Sequence, residues 1–296
     1  MCIRDRIKAG RSTYSTSSLY LNERFKPRRR YAIKVAATLR DKFGQKLQPT
    51  KVPLSFTTGD YDPYVSLPIE SGVLEAAGPK RLPLYFRNAA GATLLTKRMG
   101  PAEVARLVGH SDYWDQSNLL LDDFSGVRKQ QLRVNVRPNR RVTRRIDLGK
   151  LVKGKGRGTL ALELDTNLRY RRGKERRIRR VVVRITDLAI TAKYSPHSTL
   201  LWVTSLATGK PVGGARLSIW RPGGKAARWS GTADAGGLAR APGANKLSGA
   251  KGERRNFLFF AQKGADESFV LSSTQSGISP WDFGLDGTWE LSLIHI

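Results

Sequence analysis

Hydrophobic residues in this chain recur at every second position in short runs, with turn residues between the runs. In Tyr31–Leu39, the residues Tyr31, Ile33, Val35, Ala37 and Leu39 share one face, and Lys34 and Thr38 take the other. That alternation predicts a half-buried strand. Asp41, Lys42, Phe43 and Gly44 supply a turn, and Val52, Leu54 and Phe56 resume the period before Thr57 and Thr58. This pair reads as the last hairpin of a sandwich. After the polar stretch 59–63 a second block alternates at Val65, Leu67 and Ile69, then at Leu82, Leu84 and Phe86, with a loop over 88–91. The pattern returns at Leu132, Val134 and Val136, and at Leu160, Leu162 and Leu164. A third block opens with Val181, Val183 and Ile185 and runs through ITDLAITAKYS, LLWVTSLATGKPVGGARLSIW and NFLFFAQKG.

Only one segment has helix chemistry. Pro101 suits a first helical turn, Glu103 favours the positive end of the helix dipole, and Val104, Leu107 and Val108 form a small apolar stripe. It predicts a helix of two turns at most. Short β-branched and aromatic runs at regular spacing, without alternating long helices, predict an all-β chain of antiparallel sandwiches. A length of 296 residues holds nearly three sandwiches of about 100 residues each. The expected division is the C-terminal part of one sandwich over 7–60, a second over 61–180 with basic loops, and a third over 181–290. The terminal hexapeptides MCIRDR and LSLIHI fit poorly with the rest and resemble the translated adapter sequence found on metagenomic reading frames. They are set aside from fold reasoning.

In the third block the residues become specific. ITDLAITAK, then LWVTSLATGKPVGGARLSIW, then TADAGGLA, in that order and spacing, resemble a macroglobulin domain of the bacterial alpha-2-macroglobulin family. Each piece has a local reason. Thr186 and Asp187 sit where one domain hands over to the next strand. Gly209-Lys210-Pro211 is a tight turn between two strands, with Pro211 fixing φ at the start of the second. Asp234 and Gly236 are read as a hairpin turn. The stretch SGISPWDFGL, with Pro280, Trp281 and Phe283, resembles the close of the same domain, and 31–60 resembles the end of the Ig-like domain before it. The resemblance covers 31–60 and 181–285 well and 61–180 loosely.

What the resemblance implies is a tandem immunoglobulin-like, macroglobulin-type scaffold fragment. The whole protein would be a broad-spectrum protease inhibitor of the periplasm or cell envelope, in which cleavage of a bait region triggers a rearrangement around the protease. A lipid anchor in the full-length protein would fit the family, as would a Cys-x-Glu-Gln thioester. Here the single cysteine is Cys2, without the following Glu-Gln. No reactive residue is carried over, and no enzyme activity, cofactor or metal is expected. The rival reading is a cell-surface adhesion or polyanion-binding module on the same sandwiches.

Charge adds the one strong oddity. Fifty-three Lys and Arg against 24 Asp and Glu give +29, which predicts attraction to polyanions. The run Arg169–Arg180 holds eight bases in twelve positions: Arg169, Arg171, Arg172, Lys174, Arg176, Arg177, Arg179 and Arg180. With Arg28–Arg30 and Arg140, Arg141, Arg144 and Arg145, it is a candidate contact for acidic envelope polymers. Tyr170 alone interrupts the run, whereas single-strand nucleic-acid binding relies on several bases stacked on aromatics, so nucleic acid is disfavoured. The alternative is a solvated interdomain loop. Lys153-Gly154-Lys155-Gly156-Arg157-Gly158 precedes a strand rather than a helix and lacks the G-x-x-x-x-G-K-[ST] spacing of a phosphate loop. His110, Ser111 and Asp112 are neighbours in a loop, whereas a catalytic triad is assembled in space. Trp202, Trp220, Trp229 and Trp281 are expected in sandwich cores or between domains.

Overall fold

In a computed structural model, the described residues are 25–33, 38, 40, 43–46, 55–69, 71–109, 119–152, 156–166, 168–170, 173–174, 179–248 and 256–272. Strands β1 (Arg30–Ala32) and β2 (Ser55–Thr57) pair antiparallel, Tyr31 opposite Phe56. Phe25, Tyr31 and Phe56 pack as an aromatic trio with ring centroids 4.8 to 5.5 Å apart. The predicted turn carries Gly44 at φ +84°.

The second module follows as β3 (Tyr64–Ser66), β4 (Ser71–Glu75), β5 (Arg81–Arg87), β6 (Gly91–Met99), α1 (Pro101–Gly109), β7 (Arg128–Arg133), β8 (Val142–Asp147), β9 (Gly158–Asp165), β10 (Arg169–Tyr170), β11 (Gly173–Lys174) and β12 (Arg179–Thr186). Two sheets, β4-β12-β9-β6-β7 and β3-β5-β8, face each other. Between them lie Leu82, Leu84 and Phe86 from one sheet and Leu94, Leu160, Leu162, Leu164, Val181, Val183 and Ile185 from the other. These are the alternating positions of the sequence, each strand contributing every second side chain to one core. All described ladders are antiparallel except β4 with β12. Val134 and Val136, expected in a strand, fall beyond the end of β7.

The strand β12 departs from the expected division. Its residues Val181, Val183 and Ile185, read as the opening of the third block, hydrogen-bond with β9 and β4 in the second module's sheet. A run that is apolar on one face cannot say which neighbouring sheet it will complete, because the pairing partners are 15 or more residues away.

The third module is β13 (Leu188–Tyr194), β14 (Ser198–Ser205), β15 (Arg216–Trp220), β16 (Trp229–Thr232), β17 (Leu238–Pro242), a short α2 (Ala244–Ser248), β18 (Leu258–Lys263) and β19 (Asp266–Leu271). Its sheets β13-β14-β17 and β16-β15-β18-β19 enclose Leu201, Val203, Leu217, Ile219, Phe257 and Phe259. The turn expected as a hairpin at TADAGGLA is a corner: β16 and β17 lie in different sheets. Asp234 Oδ1 accepts the Leu238 N–H at 2.9 Å, and the positive φ of +76° falls on Gly237 rather than Gly236. A Cβ on Gly237 would collide with the Val203 carbonyl. Trp202 also departs from its expected buried position. Leu201 and Val203 point into the core, so Trp202 between them faces outward and is 41% exposed. Trp229 packs against the core of its module, and Trp281 lies outside the described residues. Among the described residues no helix is long and apolar enough to cross a membrane.

Candidate interdomain interface

The outer face of the five-stranded sheet is not a solvent face. On β6, β9 and β12 the positions alternate with those of the inner core, and they present Leu95, Met99, Ala161 and Val182 outward. Helix α1 closes over part of this face with Val104, Ala105 and Leu107, Leu121 and Phe124 follow it, and Leu258, Phe260 and Phe269 of the third module cover the rest. Trp220 meets Phe260 at 6.3 Å. One apolar cluster is thus shared by two sandwiches. Covering both sides of a sheet in this way makes it read as a nearly continuous apolar strand, which describes GTLALELD in β9.

Glu163, Arg180 and Lys97 on this face are matched, while the buried Nε of Arg184 has no hydrogen-bond partner among the described residues. Glu163, 1% exposed, accepts the Leu121 N–H at 3.1 Å and the Arg180 guanidinium at 3.2 Å. Arg180 also donates to the Leu119 carbonyl. Lys97 donates to the Ser125 carbonyl at 2.6 Å and pairs with Glu103 at 2.9 Å, while Glu103 accepts the Gly100 N–H at the start of α1. The acidic first helical turn predicted from sequence is therefore tied to the sheet beneath it. A buried charge left without such partners would cost several kcal/mol.

At the handover between the modules the key residue is Asp266, 3% exposed, in the β18–β19 hairpin. Its Oδ1 accepts the Thr186 hydroxyl at 2.6 Å, and its Oδ2 accepts the Asp187 N–H at 2.9 Å and Arg157 Nη1 at 2.7 Å. Thr186 Oγ1 in turn accepts the Leu188 N–H, and the Asp187 carboxylate receives the Ser205 hydroxyl and the Ala207 N–H. The neighbouring Glu267 accepts the Thr159 N–H at 3.1 Å, and its burial pushes its carboxyl above the ordinary range. Arg184 lies over the Phe269 ring at 4.7 Å and donates to the Phe269 carbonyl, with burial lowering its pKa. Thr186 and Asp187 were legible from sequence as a handover. Asp266 was not, because it is 80 residues from Thr186 and its own neighbourhood reads as an ordinary turn.

The first and second modules meet in a different kind of junction. Asp60 receives a bidentate pair from Arg28 at 2.6 and 2.8 Å and a third bond from Asn139 Nδ2 at 2.7 Å. The Arg28 hydrogen bonds, helped by Asn139, hold its carboxyl down to about 2. Asn88 and Asn139 bond each other and the backbone of Tyr61. The three described non-glycine residues with positive φ, Arg28, Asn88 and Asn139, all sit here. Left-handed conformations held by converging side-chain bonds mark an over-determined connection.

The basic run is only partly placed. Arg171, Arg172, Arg176 and Arg177 lie outside the described residues, Arg169 and Lys174 stand opposite each other on the β10–β11 ladder, and Arg179 begins β12. Arg180 is engaged inside with Glu163, Arg28 with Asp60, and Arg144 with the Arg133 carbonyl at 2.7 Å. The expected single stripe is not assembled from these three. His110, Ser111 and Asp112 lie outside the described residues. Among the described residues no cluster of His, Cys, Asp or Glu could hold a metal ion.

Residues 185–290 match the family model for the bacterial alpha-2-macroglobulin MG3 domain. The chain is similar to the bacterial alpha-2-macroglobulins. Against native Escherichia coli alpha-2-macroglobulin spanning domains MG0-NIE-MG1 it is 15% identical, with a TM-score of 0.55 over 83% of this chain and 75% of that one. Against the NIE-MG1 piece the values are 16%, 0.51, 71% and 97%. A mutant of Salmonella alpha-2-macroglobulin gives 15% and 0.55 over 83% of this chain, which corresponds to 14% of the Salmonella chain. At these identities the structural likeness establishes the macroglobulin-type, Ig-like sandwich fold. No curated protein sequence matches the chain. The family match begins at Ile185, near the end of β12 and three residues before β13 opens the third sandwich at Leu188.

Proposed function

We propose that this chain is scaffold from a bacterial macroglobulin-type inhibitor, a non-enzymatic row of sandwiches that fixes the placement of parts lying elsewhere in a longer protein. The observation that supports it most is the junction around Asp266 and Phe260. Domains joined by a flexible linker need no shared core, and relative motion is the default for small polar interfaces. Here an apolar cluster and two carboxylate sites, Asp266 with Arg157 and Glu267 with Thr159, are built into the contact between the modules. A trap that closes after cleavage of a bait segment needs such stiff segments, so that the rearrangement is transmitted rather than absorbed. The partners on this reading are proteases, and the location is the cell envelope.

The test is made on the full-length protein of the source organism. An excess of it should slow a protease acting on a large protein substrate while sparing a small peptide substrate, because a trap excludes substrates by size. The 296-residue chain alone should do neither. A full-length protein that leaves both substrates unprotected, or that blocks both equally, would count against the trap.

A further inference from the structure

The second module's three-stranded sheet gathers arginines and tyrosines on its outer face. Leu82, Leu84 and Phe86 point inward, so Arg81, Pro83, Tyr85 and Arg87 point outward on β5. The register places Tyr64 and Ser66 of β3 beside Arg87 and Tyr85, and Thr143, Arg145 and Asp147 of β8 beside Tyr85, Pro83 and Arg81. Arg141, just before β8, lies over the Tyr85 ring at 4.8 Å. Arg87 lies between Tyr61 and Tyr64, at 4.8 and 4.6 Å from their centroids. Three of the five described cation–π contacts are therefore on this face. Its arginines take no part in the described ion pairs, and Asp147 is the one acid among the outward positions of the sheet.

These stacks fix the guanidinium planes: Arg87 donates Nε and Nη2 to the Asp62 carbonyl at 3.2 and 3.1 Å, while Arg81, Arg141 and Arg145 make no side-chain hydrogen bond among the described residues and keep their donors for oxygens of phosphate groups. They also cover the tyrosine faces, so bases of a nucleic-acid strand have no open ring to stack on. The outward positions of the face spread over three adjacent strands, so they can meet several headgroups of a surface at once. We propose that the outer face of β3-β5-β8 docks on an anionic phospholipid surface, with Arg81, Arg141 and Arg145 meeting headgroup phosphates and the tyrosines at headgroup level. This assignment rests on charge and stacking alone and is independent of the inhibitor reading.

The experiment is co-sedimentation of the 296-residue chain with vesicles of phosphatidylcholine, and with vesicles containing one part phosphatidylglycerol in three. The wild type should bind the anionic vesicles and not the neutral ones. Each facing arginine contributes about fivefold, so the combined change of Arg81, Arg141 and Arg145 to Gln should weaken binding roughly 100-fold. A control that removes equal charge elsewhere, Arg128, Arg228 and Arg240 to Gln, should weaken it less than about fivefold, because those side chains do not share the face. Should the triple variant fail to fold by circular dichroism, Arg81→Gln and Arg145→Gln are read singly, at about fivefold each. Equal losses in the two triple variants would overturn the proposal and leave only diffuse attraction by a chain of charge +29. DNA binding tighter than vesicle binding and lost in the same variant would overturn it in favour of nucleic acid.

Discussion

Replacing Asp266 by Asn tests whether the two sandwiches are coupled through the β18–β19 hairpin. The carboxylate accepts three hydrogen bonds, from Thr186, the Asp187 backbone and Arg157. An amide has one acceptor oxygen. Placed at the Oδ2 position, that oxygen keeps Asp187 and Arg157, but the NH2 group then faces the Thr186 hydroxyl, which already accepts Leu188. The reverse orientation points NH2 at two donors and is worse. The surviving bonds also lose charge assistance, which makes such bonds roughly twice as strong as neutral ones. One lost donor at about 1 kcal/mol and two weakened bonds at about 1 kcal/mol each give a cost of about 3 kcal/mol. Arg157 is 38% exposed and can turn to water, which argues against a larger figure. Urea unfolding followed by tryptophan fluorescence reads the effect, since Trp220 sits in the shared cluster. Thr186→Val should cost a similar amount, about 2 to 3 kcal/mol, since it removes both the bond to the carboxylate and the acceptor of the buried Leu188 N–H. A cost for Asp266→Asn below about 0.5 kcal/mol, the range of ordinary surface changes, would refute the coupling.

Four further outcomes follow from the same geometry. Phe269→Ala should lower stability by about 3 to 5 kcal/mol in the same unfolding assay, because the ring closes the shared cluster and carries Arg184. Asp60 should titrate near 2 by carboxyl-carbon NMR, and in Arg28→Ala it should move toward the ordinary 3.8. Its folded-state pKa is depressed, so its stabilising contribution is present above about 3.8 and is lost as pH falls through about 2. Glu267 is shifted the other way: its contribution becomes more favourable as pH falls through its raised folded-state pKa, so Glu267→Gln should keep the Thr159 bond and leave thermal stability at pH 7 unchanged or higher. Gly237→Ala should cost more than Gly209→Ala in thermal melts. Both have positive φ, worth about 1 to 2 kcal/mol, but the space around Gly209 is open and that around Gly237 is filled by the Val203 carbonyl.

Legibility followed the range of the interactions. Strands whose buried face repeats every second residue, such as Leu82-Leu84-Phe86 or Leu160-Leu162-Leu164, were readable because the signal is local and the core enforces it. Helix α1 was readable from Pro101 and Glu103 for the same reason. Pairing was not. Strand β12 completes a sheet through partners at Ser71–Glu75 and Gly158–Leu164, and Gly237 owes its glycine to a carbonyl on a strand more than 30 residues earlier. The sequence also gave no sign that Trp202 and its neighbours Leu201 and Val203 would divide between solvent and core in that phase, since all three are apolar.

The charged residues show the same division and explain why counting them misleads. Arg28, Arg144 and Arg180 stand in the most basic-looking parts of the chain, yet each is bound to a carboxylate or carbonyl within the fold. Arg81 stands in a run that reads as an ordinary strand, and with Arg141 and Arg145 it makes up the open arginines on the outer face of β3-β5-β8. Their availability depends on the register of β5 with β8, which brings Arg145 beside Pro83 and sets Arg141 over Tyr85. A slip of one residue in that register would turn Arg145 inward and Ile146 out, removing the face and breaking the core together. Because the core fixes the register, the charged face is as strongly specified as the sandwich beneath it, although no single stretch of the sequence contains it.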